Sequence, residues 1–185
     1  HGSLPSAWRI SIARERSDED FPFTFRNGPQ SLTMVRRNAD ITADRLSATL
    51  AVPLSPRLQL SSFVALLDAE RGVPGIVDGP FSSSRARQAD RTGLVQASLT
   101  ASPSSSITWE TRVQGQYGYQ RYRDPDLLFG FAPVDNYTTS REMHLESHAG
   151  IETGSGLRVY AGGDLAVVRA AVSYTHLTLP TRDPV

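Results

Sequence analysis

The run Ile107-Thr-Trp-Glu-Thr-Arg-Val-Gln-Gly-Gln-Tyr-Gly-Tyr-Gln-Arg121 alternates in polarity from end to end. Ile107, Trp109, Thr111, Val113, Gly115, Tyr117 and Tyr119 carry no charge, whereas Glu110, Arg112, Gln114, Gln116 and Gln120 between them are polar. Successive side chains of a strand point to opposite faces, so the run predicts a ribbon with one apolar and one wet face. It outlasts the soluble strand of roughly 5–6 residues. It suits the roughly 9–11 tilted residues that cross a bilayer. Trp109 near one end and Tyr117 and Tyr119 near the other stand where the aromatic girdles of a membrane barrel fall.

The same pattern recurs along the chain. Ser6–Arg14 puts Trp8, Ile10 and Ile12 in one phase, and Arg45–Val52 does so with Leu46, Ala48, Leu50 and Val52. Arg57–Leu66 follows with Leu58, Leu60, Val64 and Leu66, although Phe63 interrupts its polar side. Arg91–Ser102 aligns Gly93, Val95, Ala97, Leu99 and Ala101. Glu142–Glu152 sets Met143, Leu145, Ser147, Ala149 and Ile151 against Glu142, His144, Glu146, His148 and Glu152, and a last strand begins at Leu157 with Val159 in phase. About seven strands are therefore expected. Short turns begin at Pro53, Pro103 and Thr153, at intervals of 50 residues. Long polar connections join the other ends, over Glu15–Asp40, Asp68–Asp90 and Tyr122–Tyr137.

This predicts an all-β chain built as an antiparallel up-and-down hairpin array. Soluble hairpins use loops of about 2–5 residues at both ends. Short turns on one side and long loops on the other are the habit of outer-membrane barrels. Glu110, Arg112, Glu142, Glu146 and Glu152 would be costly in a closed core unless paired, but suit a hydrated lumen. On this reading Trp109, Val113, Tyr117, Tyr119, Met143, Leu145 and Val159 face lipid. A soluble sheet packed on one side produces the same alternation, so a soluble β-rich binding or scaffold domain and a passive porin-type barrel stand as alternatives.

The 185 residues carry formal net charge +0, against a general nucleic-acid binder. They hold no cysteine, so neither disulfides nor thiolate metal sites are expected. No stretch approaches the roughly 18 consecutive apolar residues of a transmembrane helix. The chain opens on His1-Gly2-Ser3, without Met or a charged-then-apolar leader, and is expected to be a piece of a longer protein.

No enzyme site is expected: there is no Gly-x-Ser-x-Gly elbow and no phosphate-binding glycine loop. His144 and His148 suggest metal ligands, but strand positions four apart are separated by about 13 Å, so no metal or other cofactor is expected. Gly162-Gly163 implies a bulge or close packing. Binding residues concentrate in loops, which makes Arg71, Phe81, Tyr122, Arg123, Phe129, Phe131 and Tyr137 the ligand candidates. The apolar segment Leu127–Phe131 serves equally well to pack its own loop. Arg85, Arg87 and Arg91 are placed either to meet lipopolysaccharide phosphates or an anionic ligand, or to stand solvated.

Phe21-Pro22-Phe23-Thr24, then Arg36-Arg37-Asn38-Ala39-Asp40 and a strand, resembles the TonB-dependent outer-membrane receptors. So does Glu70-Arg71-Gly72-Val73-Pro74-Gly75 at the exit of the next strand. The resemblance covers roughly Ser6 to Val168. It implies that residues 1–172 are part of a 22-stranded barrel in the bacterial outer membrane. The implied function is uptake of a scarce ligand such as a ferric siderophore or cobalamin. The implied partners are outer-membrane lipid and lipopolysaccharide, a small-molecule ligand, and a plug domain and TonB complex engaged through an N-terminal part not seen here. Residues 173–185, Ser173-Tyr-Thr-His-Leu-Thr-Leu-Pro-Thr-Arg-Asp-Pro-Val185, resemble a tail recurring on unrelated metagenome-derived reading frames, where sequencing-adapter DNA was translated. The native sequence is then expected to differ after about Val172.

Overall fold

The computed structural model describes residues 6–18, 20–75, 84–125 and 133–174. Its strands are β1 (Ala7–Ser17), β2 (Phe21–Asn27), β3 (Gln30–Arg36), β4 (Ile41–Ser55), β5 (Leu58–Gly72), β6 (Arg87–Ser104), β7 (Ile107–Asp124), β8 (Val134–Glu152) and β9 (Arg158–Ser173). Seven form one antiparallel sheet in the order β1-β4-β5-β6-β7-β8-β9, and β2 and β3 pair apart from it. The all-β, up-and-down architecture expected from the alternation is present, and no helix occurs among the described residues. β9 ends at Ser173, so the expected boundary near Val172 falls on its last residues, and residues 175–185 lie outside those described.

Two features depart from the sequence reading. Much of what reads as long connection is strand. β5 runs on to Gly72, β6 starts at Arg87, β7 reaches Asp124 and β8 starts at Val134. The polarity at these ends is cross-strand pairing, as in Arg87–Glu70 at 3.1 Å and Arg121–Asp135. Within Glu15–Asp40 the chain also makes the β2–β3 hairpin. Its register closes on Asn27↔Gln30 around Gly28-Pro29, with Gly28 at φ 59. A two-residue hairpin turn needs a positive φ there, which glycine supplies without strain.

The short turns also shift. Pro53 and Pro103 lie within β4 and β6, beside register shifts between Pro53 and Ser55 and between Ala101 and Ser104. The reversals follow at Pro56-Arg57 and Ser105-Ser106. Proline cannot donate to a ladder, and a bulge is where a strand tolerates that loss. The third turn does fall at Thr153–Gly156, where the Gly156 N–H donates to the Thr153 carbonyl at 2.9 Å.

The register assigns every residue to a face. Trp8, Leu50, Ser62, Ala97, Val113, Leu145 and Leu165 are successive partners across all seven strands. Two residues on, toward the long connections, Ile10, Ala48, Val64, Val95, Gly115, Met143 and Val167 form the next row. Two further on, the row begins Ile12, Leu46, Leu66, Gly93 and Tyr117, and ends in Arg141 and Arg169. The row after that is charged: Arg14, Asp44, Asp68 and Arg91, then Tyr119. The apolar band on β7 thus runs from Ile107 to Tyr117. Ten steps at about 3.3 Å make ~33 Å of strand, or ~25 Å of height at a tilt near 40°.

This face is the open one. Trp109 is 50% exposed, Val113 45% and Met143 64%. The opposite face, bearing Glu110, Arg112, Gln114 and Gln116, is the more shielded. Among the described residues only Ala43, Gly72, Ser84 and Ala86 are buried. The accessible surface is 14055 Å² for 20.2 kDa, against roughly 8,800 Å² for a compact folded monomer of that mass. The sheet is a single layer without a packed core.

Glycine positions supply a direct test. A Cβ at Gly72 would run into the Asn38 carbonyl oxygen, whereas one at Gly115 would meet nothing within 4 Å. Gly72→Ala is expected to destabilise the full-length protein by about 1–3 kcal/mol, the usual cost of overpacking, and Gly115→Ala to be near neutral. Denaturant titrations of the two variants check this.

Candidate functional site

Among the described residues, a dense cluster of hydrogen bonds lies at the long-connection end of β4, β5 and β6. Asn38, just before β4, adopts φ 59, a conformation that asparagine tolerates better than most residues. From there its amide donates to the Val73 carbonyl at 3.1 Å and to the Ala86 carbonyl at 2.8 Å. Arg87 donates to both carboxylate oxygens of Asp40, at 2.7 and 2.9 Å, and to Glu70 at 3.1 Å. Backbone bonds close the knot: Gly72 N–H to Asp40 O and Val73 N–H to Ala86 O, both 2.9 Å. The Arg-Arg-Asn-Ala-Asp and Gly-Val-Pro-Gly segments, separate in sequence, are thus two halves of one contact. Arg36 adds a bond to the Pro74 carbonyl at 3.5 Å.

Below this knot, on the shielded face, Asp90 gathers a second cluster. It accepts from Gln88 at 3.1 Å and from Gln120 at 3.0 Å, and pairs with Arg71 at 3.4 Å. Tyr122 shares the row of Arg71 and Gln88, with its hydroxyl 3.5 Å from Asp124. Arg71 and Tyr122 therefore face one side. Arg123 and Tyr137 face the other, where Tyr137 stacks on Tyr119 with ring centroids 6.3 Å apart. The four described ligand candidates do not converge on one place. Phe81, Phe129 and Phe131 lie outside the described residues. Arg85 is exposed between the buried Ser84 and Ala86. Arg91 pairs with Asp68 at 3.3 Å and lies over Tyr119.

Mid-sheet on the shielded face, Arg112 bridges Glu110 at 2.8 Å and Glu146 at 3.2 Å, and His148 contacts the same two carboxylates at 3.6 Å each. His144 instead contacts Glu142 at 3.6 Å. Among the described residues no group of three or more metal-ligating side chains converges. Gly162 lets β9 approach here, because a Cβ would meet the His148 Cβ at 2.6 Å. β8 and β9 stay in register throughout, so the glycine pair marks close packing at Gly162 rather than a bulge. The charged cluster gives way toward β5 and β6 to Ala65, Leu67 and Leu94, which line a recess of about 490 Å³ with Gln116 and Thr92. This face is a hydrogen-bonding wall with one apolar patch.

The seven residues expected to face lipid, Trp109, Val113, Tyr117, Tyr119, Met143, Leu145 and Val159, all lie on the open face. Trp109 keeps its indole N–H satisfied by Ser147 at 2.8 Å. No protein-family model matches the chain, and no curated protein matches it.

Sequence reasoning passed over Asn38, Asp40 and Asp90 as polar loop or strand-end residues. The usable signal was the asparagine of Arg-Arg-Asn-Ala-Asp, a residue type that accepts a left-handed backbone and caps carbonyls.

The Arg87 hydrogen bond and charge hold the Asp40 carboxyl below its ordinary value of 3.8, against a smaller opposing effect of burial. A depressed carboxylate stabilises the fold fully above its unfolded value, and loses that contribution as pH falls through the folded one. Protection of the Gly72 amide against hydrogen exchange is therefore expected to weaken specifically below pH 3.8. In Asp40→Asn that acid step is expected to vanish, leaving only the intrinsic pH dependence of exchange.

Proposed function

We propose that this chain forms part of the wall of a transmembrane β-barrel in the bacterial outer membrane, of the TonB-dependent receptor type. The observation that carries the reading is the inversion of polarity across a single-layer sheet. Large apolar side chains occupy the open face in a band about 25 Å tall, and the charged residues Glu110, Arg112 and Glu146 interlock on the shielded face. A soluble sheet would cover its apolar side with a second layer. Strands of 15 to 19 residues from β4 to β9 cross such a band and still project beyond it.

The type of barrel rests on narrower support. The two short motifs that resemble TonB-dependent receptors meet in space at the Asn38–Val73 contact. The protein as a whole would then take up a scarce ligand such as a ferric siderophore or cobalamin. The long connections would capture it, and a plug domain upstream would gate passage. Within this stretch, Arg71, Asp90, Gln120 and Tyr122 line the lumen mouth and supply charge and hydrogen bonds to an incoming solute. Further strands would complete the barrel beyond β1 and β9.

Fractionation of cells expressing the full-length protein tests this, with recovery in the outer membrane expected. A soluble β-rich domain would appear in the soluble fraction. Val113→Arg, on the open face at mid-band, is expected to cost roughly 2–4 kcal/mol in bilayer-folded protein, and Gln114→Arg on the opposite face much less. Equal tolerance at the two positions would exclude the assignment of faces.

A further inference from the structure

Among the described residues, arginines on the open face have a carboxylate as ion-pair partner or, as Arg123 has Asp135, as cross-strand neighbour, with the exception of one couple. Arg14 pairs with Asp44 at 3.5 Å, Arg91 with Asp68 at 3.3 Å and Arg121 with Asp135 at 2.5 Å. Arg141 of β8 and Arg169 of β9 are direct cross-strand partners of each other. Directly opposed side chains on one face of a sheet have Cβ atoms about 4.5–5.5 Å apart, and like charges so placed repel. The neighbouring positions on the three strands give no relief. Gly115, Tyr117 and Tyr119 stand on β7, Thr139 and Met143 on β8, and Val167 and Ala171 on β9, none of them acidic. Neither arginine has an ion pair among the described residues, and Arg141 is exposed.

The pair also has a defined level. It closes the row of Ile12, Leu46, Leu66 and Tyr117, the last of the apolar band before the charged row, on the side of the long connections. Directly beneath lie Met143 and Val167, then Leu145 and Leu165. Two guanidiniums above an apolar strip match an amphiphile with a doubly charged head and acyl chains. Arginine binds phosphate through paired N–H donors, and a shared phosphate would turn the repulsion between the two into attraction.

We infer that Arg141 and Arg169 form a binding site for the phosphate group of an anionic lipid in the outer leaflet, with its chains lying along Met143, Val167, Leu145 and Leu165. The inference rests on the barrel reading, which supplies the bilayer. It identifies the phosphate contact as this unpaired couple, not the already matched Arg87 and Arg91.

Native mass spectrometry of the full-length protein in neutral detergent, titrated with phosphatidic acid, phosphatidylcholine or inorganic phosphate, tests it. Phosphatidic acid is expected to bind on the order of tenfold more tightly than phosphatidylcholine, with no comparable occupancy by inorganic phosphate. Arg141→Gln/Arg169→Gln is expected to abolish the preference, and Arg141→Lys/Arg169→Lys to keep part of it. A preference that survives the glutamine pair, or is missing from the parent, overturns the inference. So does equal occupancy by free phosphate, which would mark a simple anion site. Should the glutamine pair fail to fold, arginine-selective labelling of the parent decides instead. Phosphatidic acid is expected to shield Arg141 and Arg169 relative to phosphatidylcholine, and unchanged labelling overturns the site. A carboxylate supplied by a strand beyond β9 would give that unchanged result. Recovery of the protein outside the membrane would overturn both this inference and the barrel; membrane recovery without lipid selectivity overturns this inference alone.

Discussion

The sheet depends on its backbone ladder, because its side chains bury so little against one another. From Ile41 to Glu152, β4 to β8 run antiparallel to their neighbours over 15 to 19 residues, with register shifts only beside Pro53 and Pro103. Burial is worth about 25 cal/mol per Å² of apolar surface, but Trp109, Val113 and Met143 remain roughly half exposed or more. In water such a sheet forgoes much of the hydrophobic stabilisation that ordinary domains rely on. In hydrocarbon the balance changes. Apolar side chains then sit in their own medium, and a fully bonded ladder is what an apolar solvent demands of a polypeptide. Among the described residues of the seven-stranded sheet, this demand is unmet at the outer edges of β1 and β9, and further strands would meet it.

The second organising contact is the knot of Asn38, Asp40, Gly72 and Arg87. It joins the start of β4 to the end of β5 and the start of β6. Long connections are entropically costly to hold in place, and these bonds fix where two of them leave the sheet. The Asp90 cluster lies just inside this anchored rim. Charged and hydrogen-bonding side chains are therefore held on paired strand ends, beside the anchored exits of the connections.

The alternating pattern made the seven-stranded sheet legible, since period-two polarity has only one common structural meaning. It also placed Trp109 and Val159 on one face correctly, although strands separate them in sequence. What it missed has a shared cause. Arg87, Asp90, Arg121 and Asp135 are polar because they pair across strands in water, and polarity alone reads the same in a loop. Pro53 and Pro103 similarly announced a break in the ladder, but a bulge and a turn look alike in composition. The knot escaped because its two halves lie 35 residues apart, and only the register brings Asn38 to Val73. The pairing of Arg141 with Arg169 was hidden for the same reason: a one-residue change in register would have separated them.

The proposed contact of the open face of β7 with lipid is directly measurable, because these 185 residues contain no cysteine. Single cysteines placed at each position from Trp109 to Tyr117 in the full-length protein can carry a fluorophore. Quenching by nitroxide groups attached to lipid acyl chains then reports contact with the bilayer interior. Strong quenching at 109, 111, 113, 115 and 117, with little at 110, 112, 114 and 116, is the predicted result. Uniformly weak quenching, or alternation in the opposite phase, would contradict it.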